Sequence, residues 1–66
     1  MQVTINGKPE NLTDSCTVAE AVLCFRSVDV PCAVEVNVRL VPHDKREGIS
    51  LKAGDRIEIV TFVGGG

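Results

Sequence analysis

Sixty-six residues with seven basic and nine acidic side chains, a net charge of −2, describe one small domain without a charge run. A chain of this size buries only about 60% of the surface its unfolded form exposes. That leaves room for one helix on one sheet and none for an enclosed catalytic cavity. The only aromatics are Phe25 and Phe62, and a basic stripe is missing, so nucleic acid is not an expected partner. No apolar run approaches the roughly 20 residues of a membrane-spanning helix. The first residues alternate like a strand and carry no signal-peptide core, which predicts a cytoplasmic protein. Cys16, Cys24 and Cys32 are odd in number and lack a C-x-x-C pair, which argues against a disulfide framework. They fall before a helix, inside it and at the start of a strand, so the expectation is small buried hydrophobes or exposed thiols, with no metal site.

Val3 and Ile5 alternate with Gln2, Thr4 and Asn6 as in a half-buried strand. Asn6-Gly7 is a strong hairpin signal, because both residues tolerate the positive φ of a type I′ turn. The returning strand is predicted at about 10–13, anchored by Leu12, with Pro9 marking an edge position. Thr17-Val18-Ala19-Glu20 spells a capping box. From there Val18, Ala21, Val22 and Phe25 recur at helical spacing, predicting a core-facing helix that ends near Arg26 or Ser27. Pro31 closes the link out of it.

Val34 to Leu40 reads as one continuous strand, its valines and Leu40 on one face and Glu35, Asn37 and Arg39 on the other. Pro42 to Glu47 reads as a polar loop in which His43, the only histidine, is solvated. Ile49 and Leu51 return briefly to the core as a short strand. Ala53-Gly54-Asp55 forms a tight turn with Gly54 at the unusual φ, and the last strand spans Arg56 to Val63. Helix plus mixed sheet in two layers is an α+β architecture.

Two features stand apart. Alternation from Ile57 and Ile59 places Val60 and Phe62 on the outer face, although both are apolar. Either a bulge resets the register near Val60, or an apolar patch marks a partner surface. Directly after Val63 come Gly64, Gly65 and Gly66. Glycine loses the most freedom on ordering and has no Cβ, so three in a row suit a bare backbone that enters a narrow slot. Fraying or a cloning remnant is the alternative.

The stretch Leu51-Lys52-Ala53-Gly54-Asp55-Arg56-Ile57-Glu58-Ile59-Val60, followed by Phe62-Val63-Gly64-Gly65-Gly66, resembles the C-terminal signature of the ThiS family, the sulfur carriers of thiamine thiazole synthesis. Val36-Asn37 leading to Val41-Pro42, and the Thr17-Val18 helix start, fit as well. The resemblance spans the chain in length and element order, while, that helix start apart, residues 16 to 32 carry no feature specific to it. It implies a ubiquitin-like β-grasp fold, with four to five strands on one helix, over residues 1–63 and a flexible glycine tail over 64–66. It also implies a mechanism. An E1-like adenylating partner activates the Gly66 carboxylate with MgATP, and a persulfide donor of the cysteine desulfurase type supplies sulfur. The resulting thiocarboxylate serves thiazole synthase. On this account the chain is no enzyme and holds no cofactor of its own. Gly64 and Gly65 thread the partner's active site, and Val60, Phe62 and Val63 form the interface.

Related readings are the small subunit of molybdopterin synthase and sulfur carriers of amino-acid biosynthesis, which share fold and tail. A ubiquitin-like modifier joined through Gly66 and a β-grasp binding module without covalent chemistry belong to other classes. A stand-alone enzyme is least expected, because no nucleophile–base pair or phosphate loop is visible.

Overall fold

The computed structural model describes residues 1–26 and 31–61. Among them are five strands, β1 (Gln2–Ile5), β2 (Lys8–Asn11), β3 (Cys32–Val36), β4 (Arg39–Val41) and β5 (Arg56–Thr61). One α-helix, α1 (Val18–Arg26), and one 3-10 helix, His43–Gly48, complete the set. The strands form a single sheet in the order β2-β1-β5-β3-β4. The central pair β1 and β5 is parallel and every other pair antiparallel. With α1 on one face, this is the β-grasp arrangement expected of the sequence.

Local chemistry explains most of these elements. Asn6 and Gly7 adopt φ values of 52° and 82°, the two positive angles a type I′ hairpin needs. The capping box closes as its spacing demands. The Glu20 amide donates to Thr17 Oγ1 at 3.2 Å, and the Thr17 amide donates to Glu20 Oε1 at 2.8 Å. Gly54 takes φ 88° in the turn before β5. There Asp55 Oδ2 accepts from the Lys52 amide at 2.8 Å.

The core lies between α1 and the inner face of the sheet. Val3 and Ile5 of β1, Val34 of β3 and Ile57 and Ile59 of β5 meet Val18, Ala21 and Val22 of the helix. Val41 and Leu51 fill the flank.

Several expectations need correction. The residues from Val34 to Leu40 form a hairpin and not one strand, with Val36 opposite Arg39. Asn37 and Val38 both take positive φ, 52° and 72°, so alternation breaks there and Val38 and Leu40 are exposed at 86% and 67%. Strand β2 starts two residues earlier than anticipated, because a two-residue turn sets Lys8 directly opposite Ile5. Pro9 does occupy an edge strand, where its missing N–H costs no ladder bond. Leu12 lies just past β2, half-buried against the core. Phe25 is 39% exposed and not part of the buried stripe, because it stands beside a shallow hollow that it lines with Ile5, Glu10, Leu12 and Cys24.

The polar loop after Pro42 is a 3-10 helix, and Arg46 within it is buried. Its guanidinium donates to the Cys32 carbonyl at 2.7 Å and lies 3.6 Å from the Cys32 sulfur. The expected short strand at Ile49 and Leu51 shrinks to one bridge between Thr17 and Ser50. Leu51 is buried, and Ile49 is partly exposed.

Candidate functional site

The strand that leads toward the glycines is held at both ends by asparagine side chains. At one end Asn6 stands just beyond β1 and continues its pairing with β5 through the side-chain amide. The Ile59 amide donates to Asn6 Oδ1 at 2.8 Å, and Asn6 Nδ2 donates to the Ile59 carbonyl at 3.2 Å. At the other end the Arg56 amide donates to Asn37 Oδ1 at 3.0 Å, while Asn37 Nδ2 donates to Asp55 Oδ1 at 3.0 Å. Sequence reasoning takes Asn6 as a turn residue and Asn37 as an outward strand residue, and misses both clamps. An asparagine at a hairpin corner beside a third strand is the signal that could have suggested them.

Along β5, Ile57 and Ile59 are buried while Arg56, Glu58 and Val60 face outward. The register with β3 runs without interruption from Val36 opposite Ile57 to Cys32 opposite Thr61. No bulge therefore intervenes up to Thr61, and Val60 is 59% exposed. Of the two readings of this strand, the structure takes the exposed one at Val60. Phe62, Val63, Gly64, Gly65 and Gly66 lie outside the described residues.

The outer face around Val60 follows from the register. Ala33 of β3 is directly opposite Val60, and Glu35 is directly opposite Glu58. Leu40 of β4 is opposite Glu35. Leu40 and Val60 thus flank a pair of exposed carboxylates on one open sheet surface.

The thiols lie elsewhere. Cys16 and Cys32 are buried in the helix-side core and Cys24 is exposed on α1. Burial pushes the Cys16 thiol up from its ordinary value, with smaller contributions from Glu20 and Cys24. His43 is exposed on the 3-10 helix, as expected. With Asp44, Arg46, Glu47 and the helix residues Ala19, Val22 and Leu23 it lines a hollow of about 440 Å³ on the helix side of the sheet. Among the described residues no three His, Cys, Asp or Glu side chains gather as a metal site, and no helix is long and apolar enough to cross a membrane.

The family model described as the ThiS family matches residues 3–66. The chain belongs to the ThiS family. Members of this family are small sulfur carriers of thiamine biosynthesis. The crystal structure of the thiamine biosynthesis protein ThiS from Geobacter metallireducens superposes over all of both chains, with a TM-score of 0.79 and 31% identity. A thiazole synthase of Paramagnetospirillum magneticum is 42% identical over 67 residues, covering all of this chain and 20% of that protein. The chain thus spans one fifth of the length of that curated relative. The ThiS match extends through Gly64-Gly65-Gly66, the residues beyond the described strand.

Proposed function

We propose that the chain carries sulfur for thiazole formation as a thiocarboxylate on Gly66. The observation that carries the reading is the family match over residues 3–66, which takes in both the β5 strand and the glycines. A carboxylate is a poor electrophile, because its charge is delocalised and oxide is not a usable leaving group. In the proposed sequence an E1-like partner with MgATP joins a Gly66 carboxylate oxygen to the α-phosphorus, and pyrophosphate leaves. The terminal sulfur of a protein persulfide then attacks the acyl carbon and AMP departs. A second thiol cleaves the resulting S–S bond, taking the other sulfur into a disulfide and leaving the thiocarboxylate on Gly66. That sulfur is ionised at neutral pH and is the nucleophile delivered to thiazole synthase.

The chain supplies the reacting group and the docking surface, and the catalytic groups belong to the partners. Residues 1–63 act as the β-grasp body and 64–66 as the segment that enters the partner, where Gly64 and Gly65 fit a channel closed to side chains. Val60, Phe62 and Val63 form the docking patch beside it, an assignment supported by the exposure of Val60. The curated thiazole synthase that contains a stretch similar to this chain favours thiazole synthase as the acceptor over a molybdopterin enzyme.

The test is intact-protein mass spectrometry of the chain after incubation with MgATP, a persulfide source and cell extract, with and without an alkylating agent. The expected product is heavier by the exchange of one oxygen for sulfur and is alkylated at Gly66. A plain carboxylate under all these conditions refutes the carrier chemistry.

A further inference from the structure

Resting on the docking reading above, we infer that the outer sheet face takes a partner protein that places an arginine or lysine between Glu35 and Glu58. The two residues are direct cross-strand partners in the β3–β5 register. Both are exposed, and neither has an ion-pair partner among the described residues. Directly opposed like charges destabilise a sheet, so the pair is a local cost, which Arg56, two residues before Glu58 on the same face, lessens without forming an ion pair with either carboxylate. Nothing in the backbone requires it, since Thr, Gln or Val suits these positions as well.

The surroundings select what relieves the repulsion. Leu40 pairs across from Glu35, and Val60 follows Glu58 on the same face with Ala33 opposite. An incoming surface that covers Leu40 and Val60 removes water from the carboxylates between them. Stripped of water, two adjacent carboxylates are strongly unfavourable, and Arg56 on the same face balances only one of the two charges, so a second cation has to come with the partner. A guanidinium or ammonium set in an apolar surround meets both demands. A neutral apolar partner is rejected by the desolvation it imposes. A second copy of this chain, docked face to face about a two-fold axis through the pair, brings carboxylates against carboxylates. The pair therefore selects for a heterologous partner, in the sense that specificity often rests on what is excluded.

The test measures affinity of the full chain for its adenylating enzyme across a salt series. Variants are Val60→Asp, Glu35→Gln, Glu58→Gln and the double glutamine, with Glu10→Gln on edge strand β2 as control. Each chain is also melted alone. The double glutamine variant is expected to bind at least about tenfold more weakly, with a shallower salt dependence, as loss of a desolvated charge pair requires. Its own melting temperature should stay level or rise, which no simple loss of folding can mimic. Glu10→Gln should match the parent chain. If Val60→Asp abolishes binding while the glutamine variants bind like the parent, the docking reading stands and the acidic-pair inference falls. If Val60→Asp binds normally, or the parent chain does not bind at all, the docking reading fails and takes the inference with it.

Discussion

Val38→Gly should stabilise this fold, although it removes an apolar side chain. Val38 holds φ 72° in the turn between β3 and β4, a conformation that costs an L-residue about 1–2 kcal/mol. A β-branched residue is especially ill-suited to it. Glycine removes that strain but gives the unfolded chain more freedom, a loss of about 0.5–1 kcal/mol. Burial contributes little to offset, because the valine side chain is 86% exposed. The difference spans about 0–1.5 kcal/mol, and its centre is a gain of about 0.5–1 kcal/mol. A domain of this size shifts by about 4–8 °C per kcal/mol, so the melting temperature should rise by roughly 2–8 °C. Thermal melts followed by circular dichroism give the answer directly. Val38→Ala keeps a Cβ at the same φ and should gain much less, which separates relief of backbone strain from removal of an exposed apolar group. An unchanged or lowered melting temperature for Val38→Gly would show that the positive φ is not a net cost, and the reasoning fails.

Asn6→Ala should destabilise by about 1–3 kcal/mol, because it leaves the Ile59 amide and carbonyl without partners; denaturant titration checks this, and a loss within error contradicts the clamp. Gly65→Ala and Gly66→Ala should leave the melting temperature unchanged while impairing acyl-adenylate formation, measured as pyrophosphate release with the adenylating enzyme. Normal turnover in both variants would remove the glycine-channel argument. Burial raises the Cys16 thiol above its ordinary 9.0. Below 9.0 both states keep the proton and its contribution is constant. Above it the unfolded chain ionises first and the native state loses ground. Melting temperature should therefore fall less steeply above pH 9.0 in Cys16→Ala than in the parent chain, and parallel pH profiles would refute the assignment.

Much of the architecture was legible in local chemistry. Asn6-Gly7, the box from Thr17 to Glu20, and Gly54 before Asp55 each state their own geometry, because the bonds that fix them lie within a few residues. Alternation of Ile57 and Ile59 sufficed to place β5 against the core, but only the unbroken register with β3 decided that Val60 is exposed and not tucked in by a bulge. The hairpin at Asn37-Val38 was not legible, since a valine at positive φ contradicts its own preference. Only the pull of neighbouring strands on both flanks makes the turn worthwhile. Arg46 looked like part of a solvated loop until the 3-10 helix carried it over the Cys32 carbonyl.

The sequence by itself determined the helix and the last strand, because these depend on periodicity and short-range bonding, while the resemblance to the family rested on the motif from Leu51 to Val60 and the glycine run. Only the tertiary structure decided which residues oppose one another across strands. The facing of Glu35 with Glu58, the flanking Leu40 and the clamps on β5 all join residues from separate segments. Strand register is set by packing the whole sheet against the helix, and no single segment contains that information.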